Sequence, residues 1–411
     1  MTQHQFDLVI IGGGIIGLST GMAFAKRFPS SRLLIVEKED RVAAHQTGHN
    51  SGVIHSGLYY KPGSLKAKAC VEGAAAMVAF CREHGIPHEI CGKVVVATRE
   101  DELPALEELY RRGVANGVPN LSVLGPEQLR EIEPHSAGIR ALHVPTTGIT
   151  DYIAVAEKYA ALVEAGGGNI IMGAKVTGLA RRSGETVVET TKGDFAARTA
   201  INCAGLYSDR IARLAGSEPG AIIVPFRGEY YEIAAERRQL VRGLIYPVPD
   251  PKFPFLGVHF TLKIRGGIEA GPNAVLALRR EGYRKTDFSF PDALATFAYP
   301  GFWRMARKYW LEGFKEYYRS LNKKAFVRAL QRLLPELQEA DIRPGGSGVR
   351  AQALDRSGKL LDDFLIVRGD GKTGGMIHVL NVPSPAATAS IVIGRRIVEM
   401  LAEEKERAGH T

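Results

Sequence analysis

Three glycines near the N-terminus have the spacing and the surroundings of a dinucleotide-binding turn. Gly12, Gly14 and Gly17 form a G-x-G-x-x-G pattern directly after the apolar run of residues 6–11. In such a pattern the first glycine permits a tight turn and the second lets a pyrophosphate approach the backbone. The third lets the following helix pack closely on the strand, and that helix directs its free N–H groups at the phosphates.

An acidic residue follows at the distance that such a site requires. Residues 32–37 form a second apolar strand, and Glu37 stands 20 positions after Gly17. A carboxylate there accepts hydrogen bonds from both hydroxyls of an adenosine ribose. Three glycines alone are a weak signal among the 46 of the chain. Strand, turn, helix and carboxylate together predict a dinucleotide site rather than a glycine-rich turn beside a surface glutamate.

The composition indicates a globular protein with two domains. The chain has 411 residues, of which 45% are hydrophobic and 24% charged, enough for two cores. It contains no run of about twenty uncharged apolar residues, and it starts directly on the first strand. We therefore expect neither a spanning helix nor a signal or transit peptide, and we expect a cytoplasmic protein.

The cysteines argue against three other kinds of site. The chain has four, Cys70, Cys81, Cys91 and Cys203, and none forms a C-x-x-C pair or a cluster with metal-ligand spacing. This pattern predicts no disulfide framework, no redox-active disulfide and no metal site.

Further elements extend the first domain and interrupt it. We expect helices over 64–84 and 151–164, and strands over 93–98, 138–144 and 170–176. A charged helix covers 100–112, and a hairpin joins 186–191 to 193–198. An apolar strand over 200–205 ends in Ala204 and Gly205, whose small side chains let a cofactor lie on the backbone.

The C-terminal half begins with long strands and returns to the first domain. From residue 220 the strings VPFRGEYYEI and LGVHFTLKI predict an antiparallel sheet, and residues 286–340 read as helical. Residues 345–353 re-enter the first domain. After a strand over 376–380, Ser384 as N-cap and Pro385 at the first helical position predict a helix through 402. Its positive dipole end would face the bound ligand.

Several long strings resemble one family of flavoproteins. GGGIIG, INCAG and NVPSPAATAS are similar to the D-amino-acid oxidase and glycerol-3-phosphate oxidase superfamily. HNSGVIHSGLYY, EAGPNAVLALRREGY, GVRAQAL and LNVPSPAATAS resemble, more narrowly, the L-2-hydroxyglutarate dehydrogenases (oxidases). The resemblance covers nearly the whole chain. It implies an α/β fold, with a Rossmann-like FAD-binding domain of the D-amino-acid oxidase type and an α+β substrate domain on an antiparallel sheet.

The resemblance implies FAD as the cofactor, in a discontinuous domain of residues 1–85, 150–215 and 341–411. The substrate domain would comprise 86–149 and 216–340. The sequence also favours a flavin over NAD, because the nucleotide domain is interrupted twice and no second glycine pattern exists for a nicotinamide. The residues expected to bind FAD are Gly12, Gly14, Ile15, Gly17, Glu37, Lys38, Thr47, Gly48, Asn50, Ser51, Gly52, Val176, Ala204, Gly205, Asn381, Pro383 and Ser384.

The implied reaction is the oxidation of L-2-hydroxyglutarate to 2-oxoglutarate. A hydride leaves C2 for the flavin while a base takes the hydroxyl proton. His55 is our first candidate for that base and His259 the competing one, although either residue could be structural. Arg350 is the candidate carboxylate anchor, unless it forms a structural ion pair.

The second carboxylate of the substrate needs a further group, and the sequence leaves four candidates open: Arg227, Tyr246, Thr261 and Lys263. A glycerol-3-phosphate or amino-acid oxidase is the alternative within the superfamily. A non-catalytic, membrane-surface protein that keeps FAD structurally is the alternative from another class.

A basic aromatic segment spans residues 296–332. It contains ten aromatic residues and nine Lys and Arg against two Glu, a net +7 out of the +9 of the whole chain. At helical spacing, Trp303, Trp310 and Phe314 lie on one side and Arg304 and Lys308 on the other.

Three interpretations of this segment are open. The aromatic side could pack on the substrate domain, the segment could bind nucleic acid, or it could lie flat on an anionic membrane. We expect the membrane and not nucleic acid. The protein would be peripheral on the cytoplasmic face of the inner membrane, with quinone or oxygen as electron acceptor.

Overall fold

The structure is a computed structural model that describes residues 4–250, 255–371, 373 and 375–408. Its strands are β1 (His4–Ile11), β2 (Leu33–Val36), β3 (Val53–Ile54), β4 (His88–Glu89), β5 (Lys93–Ala97), β6 (Ser122–Leu124), β7 (Arg140–Val144), β8 (Gly148–Thr150), β9 (Asn169–Ile171), β10 (Val176–Arg182), β11 (Glu185–Thr190), β12 (Gly193–Asn202), β13 (Ala221–Ile233), β14 (Leu244–Pro247), β15 (His259–Leu262), β16 (Ile268–Gly271), β17 (Val275–Leu276), β18 (Ile342–Asp355), β19 (Leu365–Arg368) and β20 (Ile377–Asn381). Its α-helices are α1 (Ile15–Arg27), α2 (Leu65–Glu83), α3 (Leu103–Ala115), α4 (Pro126–Ile132), α5 (Tyr152–Ala165), α6 (Ser208–Leu214), α7 (Phe290–Phe297), α8 (Pro300–Leu321), α9 (Lys323–Gln331) and α10 (Ser390–Ala408).

The first sheet is built around β1. This strand runs parallel to β2 on one side and to β12 on the other, while β9 pairs with β2 and β20 with β12. Leu8 and Ile10 pack into a core with α1, α2, α5 and α10, whereas Val9 and Ile11 face a second core. Because both faces are covered, the strand is apolar along its whole length.

Two predicted strand boundaries in this sheet were wrong. The strand expected over 170–176 is two strands, β9 and β10, because Gly173 between them has φ +68° and its N–H bonds to the carbonyl of Glu39. The strands expected over 193–198 and 200–205 are one, β12, which pairs with β1 almost throughout. The predicted hairpin of β11 and β12 is confirmed.

The second sheet has the order β17-β13-β16-β15-β14-β5-β7-β6, and β18 pairs with β13. The pairing of β18 runs from Ile342 to Asp355. These residues therefore lie in the second sheet, although we had begun the last segment of the expected FAD-binding domain at residue 341. The chain returns to the first sheet with β19 and β20. Residues 1–3, 251–254, 372, 374 and 409–411 of the expected domain spans lie outside the described residues.

The C-terminal helix begins five residues later than expected. α10 starts at Ser390, and residues 384–389 form turns, so Ser384 is not its N-cap. Thr388 anchors these turns, because its buried hydroxyl accepts from the N–H of His55 at 3.1 Å and lies 3.3 Å from the carbonyl oxygen of Val53. The turns are thereby held against the loop that carries His55.

Candidate active site

The glycine turn between β1 and α1 has the close contacts that its sequence predicts. Gly12 has φ +116°, and a Cβ on it would lie 2.5 Å from the carbonyl oxygen of Cys203. A Cβ on Gly17 would overlap the carbonyl oxygen of Gly12. A side chain at either position would therefore force the helix, β1 and the end of β12 apart.

Glu37 lies at the end of β2 against the glycine turn. One carboxylate oxygen accepts from the N–H of Gly13 at 2.7 Å, and the other accepts from the N–H of Glu39 at 2.9 Å. A carboxylate oxygen has two lone pairs, so each retains capacity for a ribose hydroxyl. The turn and the carboxylate are thus fixed relative to each other before any ligand is present.

A cavity of about 590 Å³ opens beside this turn. That volume lies within the range of sites for large small-molecule ligands. Its lining contains eight of the residues predicted to bind the cofactor: Gly12, Gly14, Glu37, Lys38, Thr47, Val176, Ala204 and Gly205.

The other nine predicted cofactor residues lie outside the lining of that cavity. Ile15 donates its N–H to the hydroxyl of Thr47 at 3.0 Å, and Asn50 closes its own loop by accepting from the N–H of Gly52 at 2.9 Å. Asn381 donates to the carbonyls of Leu361 and Asp363, which leaves its buried Oδ1 without a partner in the described structure. Gly17 lies within α1, Gly48 and Ser51 lie in the loop of Asn50, and Pro383 directly precedes Ser384.

A cluster of charges that the sequence did not reveal stands at the edge of the cavity. Glu39, His45 and Glu281 bring three potential metal ligands close together. The ammonium of Lys38 lies among them, 2.6 Å from Glu281 Oε1 and 2.9 Å from His45 Nε2. Burial opposes the charge of Lys38, but its bonds to Glu281 and Glu39 outweigh burial and raise its pKa. The lysine thus supplies the positive charge that a metal would bring.

One face of the second sheet is polar. Successive residues of a strand point to opposite faces, so Val94, Ile245 and Phe260 pack in the core with α9 and their neighbours point away from it. Strand register places those neighbours together, since Ile245 pairs with both Val94 and Phe260. We call this side the polar face; it carries Lys93, Tyr230, Tyr246, His259, Thr261, Glu269 and Arg350.

His259 lies on the polar face in a defined protonation state. Its Nδ1 is 2.8 Å from the carbonyl oxygen of Gly257, and because a carbonyl can only accept, Nδ1 carries the proton. Burial, together with the positive charges of Arg350 and Lys93, lowers the pKa of His259 to about 3 despite the hydrogen bond to Gly257. The ring is therefore neutral near pH 7, and Nε2 is free to accept a proton.

His55 reaches the same site from the loop between β3 and α2. Its Nε2 lies 3.3 Å from the hydroxyl of Ser384, whereas its buried Nδ1 has no partner among the described residues. Burial, then the charges of Lys93 and His259, lower the pKa of His55 to about 3. The structure therefore brings together the two histidines that the sequence could only name as alternatives.

Lys93 is the residue of this site that our sequence analysis missed. It begins β5, is 2% exposed, and its Nζ lies 4.6 Å from the ring centroid of Tyr59 and 5.3 Å from that of Tyr246. Burial lowers the pKa of Lys93 to about 7. The available signal was a lysine directly before the apolar run VVVA, a position that a sheet buries.

The two predicted arginines lie on opposite faces of the second sheet. Arg350 pairs with Phe226 and shares its face, whereas Arg227 pairs with Val349, one position along, and points to the other side. Arg227 donates twice to Glu229, at 2.9 and 3.0 Å, and is 6% exposed. The structure thus places Arg350, and not Arg227, near His259.

The three other candidates for the second carboxylate differ in their surroundings. Tyr246 and Thr261 lie on the polar face. Lys263 is already engaged, since its Nζ lies 3.2 Å from Glu269 Oε1 and donates to the carbonyl of Asn50 at 3.3 Å.

Comparisons with known proteins agree with this geometry. The family described as FAD dependent oxidoreductase matches residues 7–400. The chain belongs to the FAD-dependent oxidoreductases.

Among its relatives, L-2-hydroxyglutarate dehydrogenase of Indibacter alkaliphilus is 53% identical, over 96% of this chain and 98% of that protein. The mitochondrial L-2-hydroxyglutarate dehydrogenase of Homo sapiens is 46% identical, over 98% of this chain and 90% of that protein. The predicted family is thereby confirmed.

Solved structures confirm the predicted fold class. L-alpha-glycerophosphate oxidase from Mycoplasma pneumoniae with FAD bound has a TM-score of 0.79 at 21% identity, covering 97% of this chain and 95% of that chain. Glycine oxidase from Geobacillus kaustophilus has a TM-score of 0.71 at 18% identity, covering 98% of this chain and 95% of that chain.

The residues present fit FAD, the cofactor of the family. The cavity beside the glycine turn has a suitable volume, and Glu37 retains acceptors for a ribose. Gly12 and Gly17 pack closely against backbone atoms and have no side chain, so no side chain at these positions obstructs the turn. The partnerless Oδ1 of Asn381 and Nδ1 of His55 are buried polar atoms that a bound ligand can satisfy.

The basic aromatic segment forms helices, as predicted, but its aromatic side faces outward. Trp303, Trp310, Phe314 and Leu321 are 59%, 69%, 68% and 79% exposed, whereas Phe302 is buried against the second sheet. These four side chains of the aromatic side therefore do not pack on the second sheet, and the first of the three interpretations is wrong for them.

The aromatic and basic side chains also share one surface instead of lying on opposite sides, since Arg304, Arg307, Lys308 and Lys315 are exposed too. We call the exposed side of α7 and α8 the outer surface. Within the described residues, no helix combines the length and the apolar character needed to cross a bilayer.

Proposed function

We propose that this enzyme catalyses the FAD-dependent oxidation of L-2-hydroxyglutarate to 2-oxoglutarate. The observation that carries the proposal is the near full-length identity of 46–53% to proteins named L-2-hydroxyglutarate dehydrogenase. The geometry supports it, since a neutral histidine and a cation lie on one buried sheet face. We also propose that the first sheet and its helices form the FAD-binding domain and the second sheet the substrate domain.

The reaction removes a hydride from C2 of the substrate and a proton from its hydroxyl. FAD, when bound, supplies the acceptor for the hydride. We propose that His259 is the base that takes the hydroxyl proton, because the hydrogen bond from its Nδ1 to Gly257 leaves Nε2 as the acceptor nitrogen.

His55 then becomes a positioning residue in place of our first choice of base. Its contact with Ser384 joins the loop of residues 45–60 to the turns before α10. Arg350 is the proposed anchor for the carboxylate on C1, because a guanidinium binds a carboxylate through two parallel hydrogen bonds. No carboxylate among the described residues forms an ion pair with Arg350.

Anaerobic mixing of the purified protein with L-2-hydroxyglutarate tests this function. We expect the visible absorbance of the flavin to bleach and 2-oxoglutarate to form in equal amount. Bleaching only by glycerol 3-phosphate or by an amino acid would assign the alternative oxidase activities instead. A bound flavin that none of these compounds reduces would indicate a non-catalytic flavin-binding protein.

We further propose that the outer surface binds anionic membranes and that a membrane quinone is the electron acceptor. Exposed Trp and Phe beside Lys and Arg are the side chains that enter a lipid interface and attract anionic headgroups. Aromatic and basic groups on one surface can also bind single-stranded nucleic acid. The net charge of +7 in this segment suits both ligands, so the test of this proposal includes an oligonucleotide.

A further inference from the structure

Lys93 is a buried cation without an anion. Its side chain is 2% exposed on the polar face. Among the residues that the structure describes, no carboxylate forms an ion pair with it and no group accepts a hydrogen bond from its ammonium. Its close neighbours are instead the faces of two aromatic rings, Tyr59 and Tyr246, at 4.6 and 5.3 Å. Rings attract a cation but accept none of its three hydrogen bonds.

Two buried polar atoms without partners among the described residues belong to side chains near Lys93. The hydroxyl of Tyr59 is buried and unbonded, and so is Nδ1 of His55. Burial raises the pKa of Tyr59 well above its usual value, so its hydroxyl keeps its proton and can donate. Buried polar groups are normally satisfied, and an ammonium with a neighbouring phenol donor is the arrangement that a bound carboxylate satisfies.

The charged and titratable groups facing Lys93 come from four elements. The loop before α2 contributes His55 and Tyr59, α2 contributes Cys70, and β14 and β15 contribute Tyr246 and His259. Of these, the histidines are neutral near pH 7, and burial raises the pKa of Cys70 to about 12. None of them supplies a negative charge to the ammonium, which leaves Lys93 able to pair with an anionic ligand.

We propose that Lys93, with the hydroxyl of Tyr59, binds the substrate carboxylate that Arg350 does not hold, the one distant from C2. This inference rests on the proposed function. It identifies the residues that make the same site selective for a substrate with two carboxylates. The positive charges of Lys93 and Arg350 both lower the pKa of His259. The two cations therefore lie near the proposed base. A 2-hydroxy acid with two carboxylates can use both cations, whereas one with a single carboxylate leaves Lys93 buried and unpaired.

Lys93→Met tests this assignment, because methionine keeps the length of the side chain and removes its charge. Lys68→Met, an exposed lysine on α2, is the matched control. With L-2-hydroxyglutarate we expect Lys93→Met to raise KM about 10-fold to 100-fold. With L-2-hydroxyvalerate, which has a methyl group in place of the distant carboxylate, we expect KM to stay within about twofold. An equal change for both substrates, or no change for either, overturns the assignment.

Binding of unreactive acids separates this proposal from the proposed function. We expect the FAD-loaded wild type to bind glutarate at least about tenfold more tightly than valerate, which has a methyl group in place of one carboxylate, in calorimetric titration. We expect Lys93→Met to bind the two alike. The pKa of Lys93, about 7 in the free enzyme, should rise on pairing with a carboxylate. Glutarate binding at pH 8 should therefore take up a proton in the wild type and none in Lys93→Met. Failure of these binding differences overturns the role of Lys93 even if L-2-hydroxyglutarate is oxidised.

Discussion

The imidazole of His259 lies against the phenol ring of Tyr246, with ring centroids 3.9 Å apart and an angle of 32° between the planes. The two residues meet because β14 and β15 are antiparallel neighbours, and the pair Ile245 and Phe260 sets the register. With Nδ1 bonded to Gly257 and one ring face covered by Tyr246, the ring is held in one orientation. That rigidity suits a base whose acceptor nitrogen must meet one hydroxyl.

Replacing His259 by Asn should slow flavin reduction about 10²-fold to 10⁴-fold with FAD still bound, because the variant lacks the proton acceptor. His55→Asn should slow it less, since we assign that residue to positioning. Stopped-flow reduction under anaerobic conditions measures both rates, and the flavin-to-protein ratio controls for cofactor loss. The opposite ranking of the two variants would return the base to His55.

Arg350→Ala should raise KM for L-2-hydroxyglutarate about 10-fold to 100-fold, because it removes a charge-assisted hydrogen-bond donor of about 1.5–3 kcal/mol. Arg343→Ala on the same strand is the control, since that side chain is exposed and its ion pair with Glu236 is exposed on both sides. Steady-state kinetics of the two variants decide the question. Equal KM values for Arg350→Ala and the wild type would exclude Arg350 from the site.

Glu37→Ala should weaken FAD binding by about tenfold or more. The change removes the ribose acceptor and the bonds that fix Gly13 and Glu39. Glu72→Gln, exposed on α2, is the control. Dialysis followed by the flavin-to-protein ratio measures retention, and full retention by Glu37→Ala would contradict a ribose-binding role.

Lys93→Met should stabilise the ligand-free site at pH 6. Burial of an unpaired ammonium costs free energy, and the depression of the pKa of Lys93 from 10.5 to about 7 sets an upper limit of about 5 kcal/mol. The cost is full below pH 7 and disappears as the pH rises to 10.5, so the gain of the variant should shrink over that range. Denaturant unfolding of the FAD-loaded protein at pH 6 and pH 9 measures it. A less stable variant at pH 6 would indicate a structural lysine instead.

Trp303→Ala with Trp310→Ala should reduce co-sedimentation with phosphatidylglycerol vesicles at low salt, and high salt should reduce binding of the wild type. Val114→Ala with Val123→Ala removes exposed apolar side chains elsewhere and should have no effect. A quinone analogue should be a better acceptor than oxygen. Unchanged vesicle binding in the tryptophan variant would refute the membrane surface, and tight binding of a single-stranded oligonucleotide instead would assign the outer surface to nucleic acid.

The sequence by itself determined the features that depend on local spacing. The glycine turn, Glu37 and β2 are contiguous or nearly so, and their roles follow from backbone geometry that a few neighbouring residues fix. The family resemblance was equally visible, because long strings such as EAGPNAVLALRREGY are read without any knowledge of contacts.

Strand register and burial, in contrast, were decided only by the tertiary structure. Nothing local shows that Arg350 and Arg227 point to opposite faces, because that depends on the pairing of β13 with β18, more than a hundred residues apart. The outward direction of Trp303 and Trp310 was also hidden, since an amphipathic pattern does not say which side meets the core. Lys93 went unnoticed for the same reason. A lysine becomes a binding residue only when the fold buries it among side chains that cannot neutralise its charge.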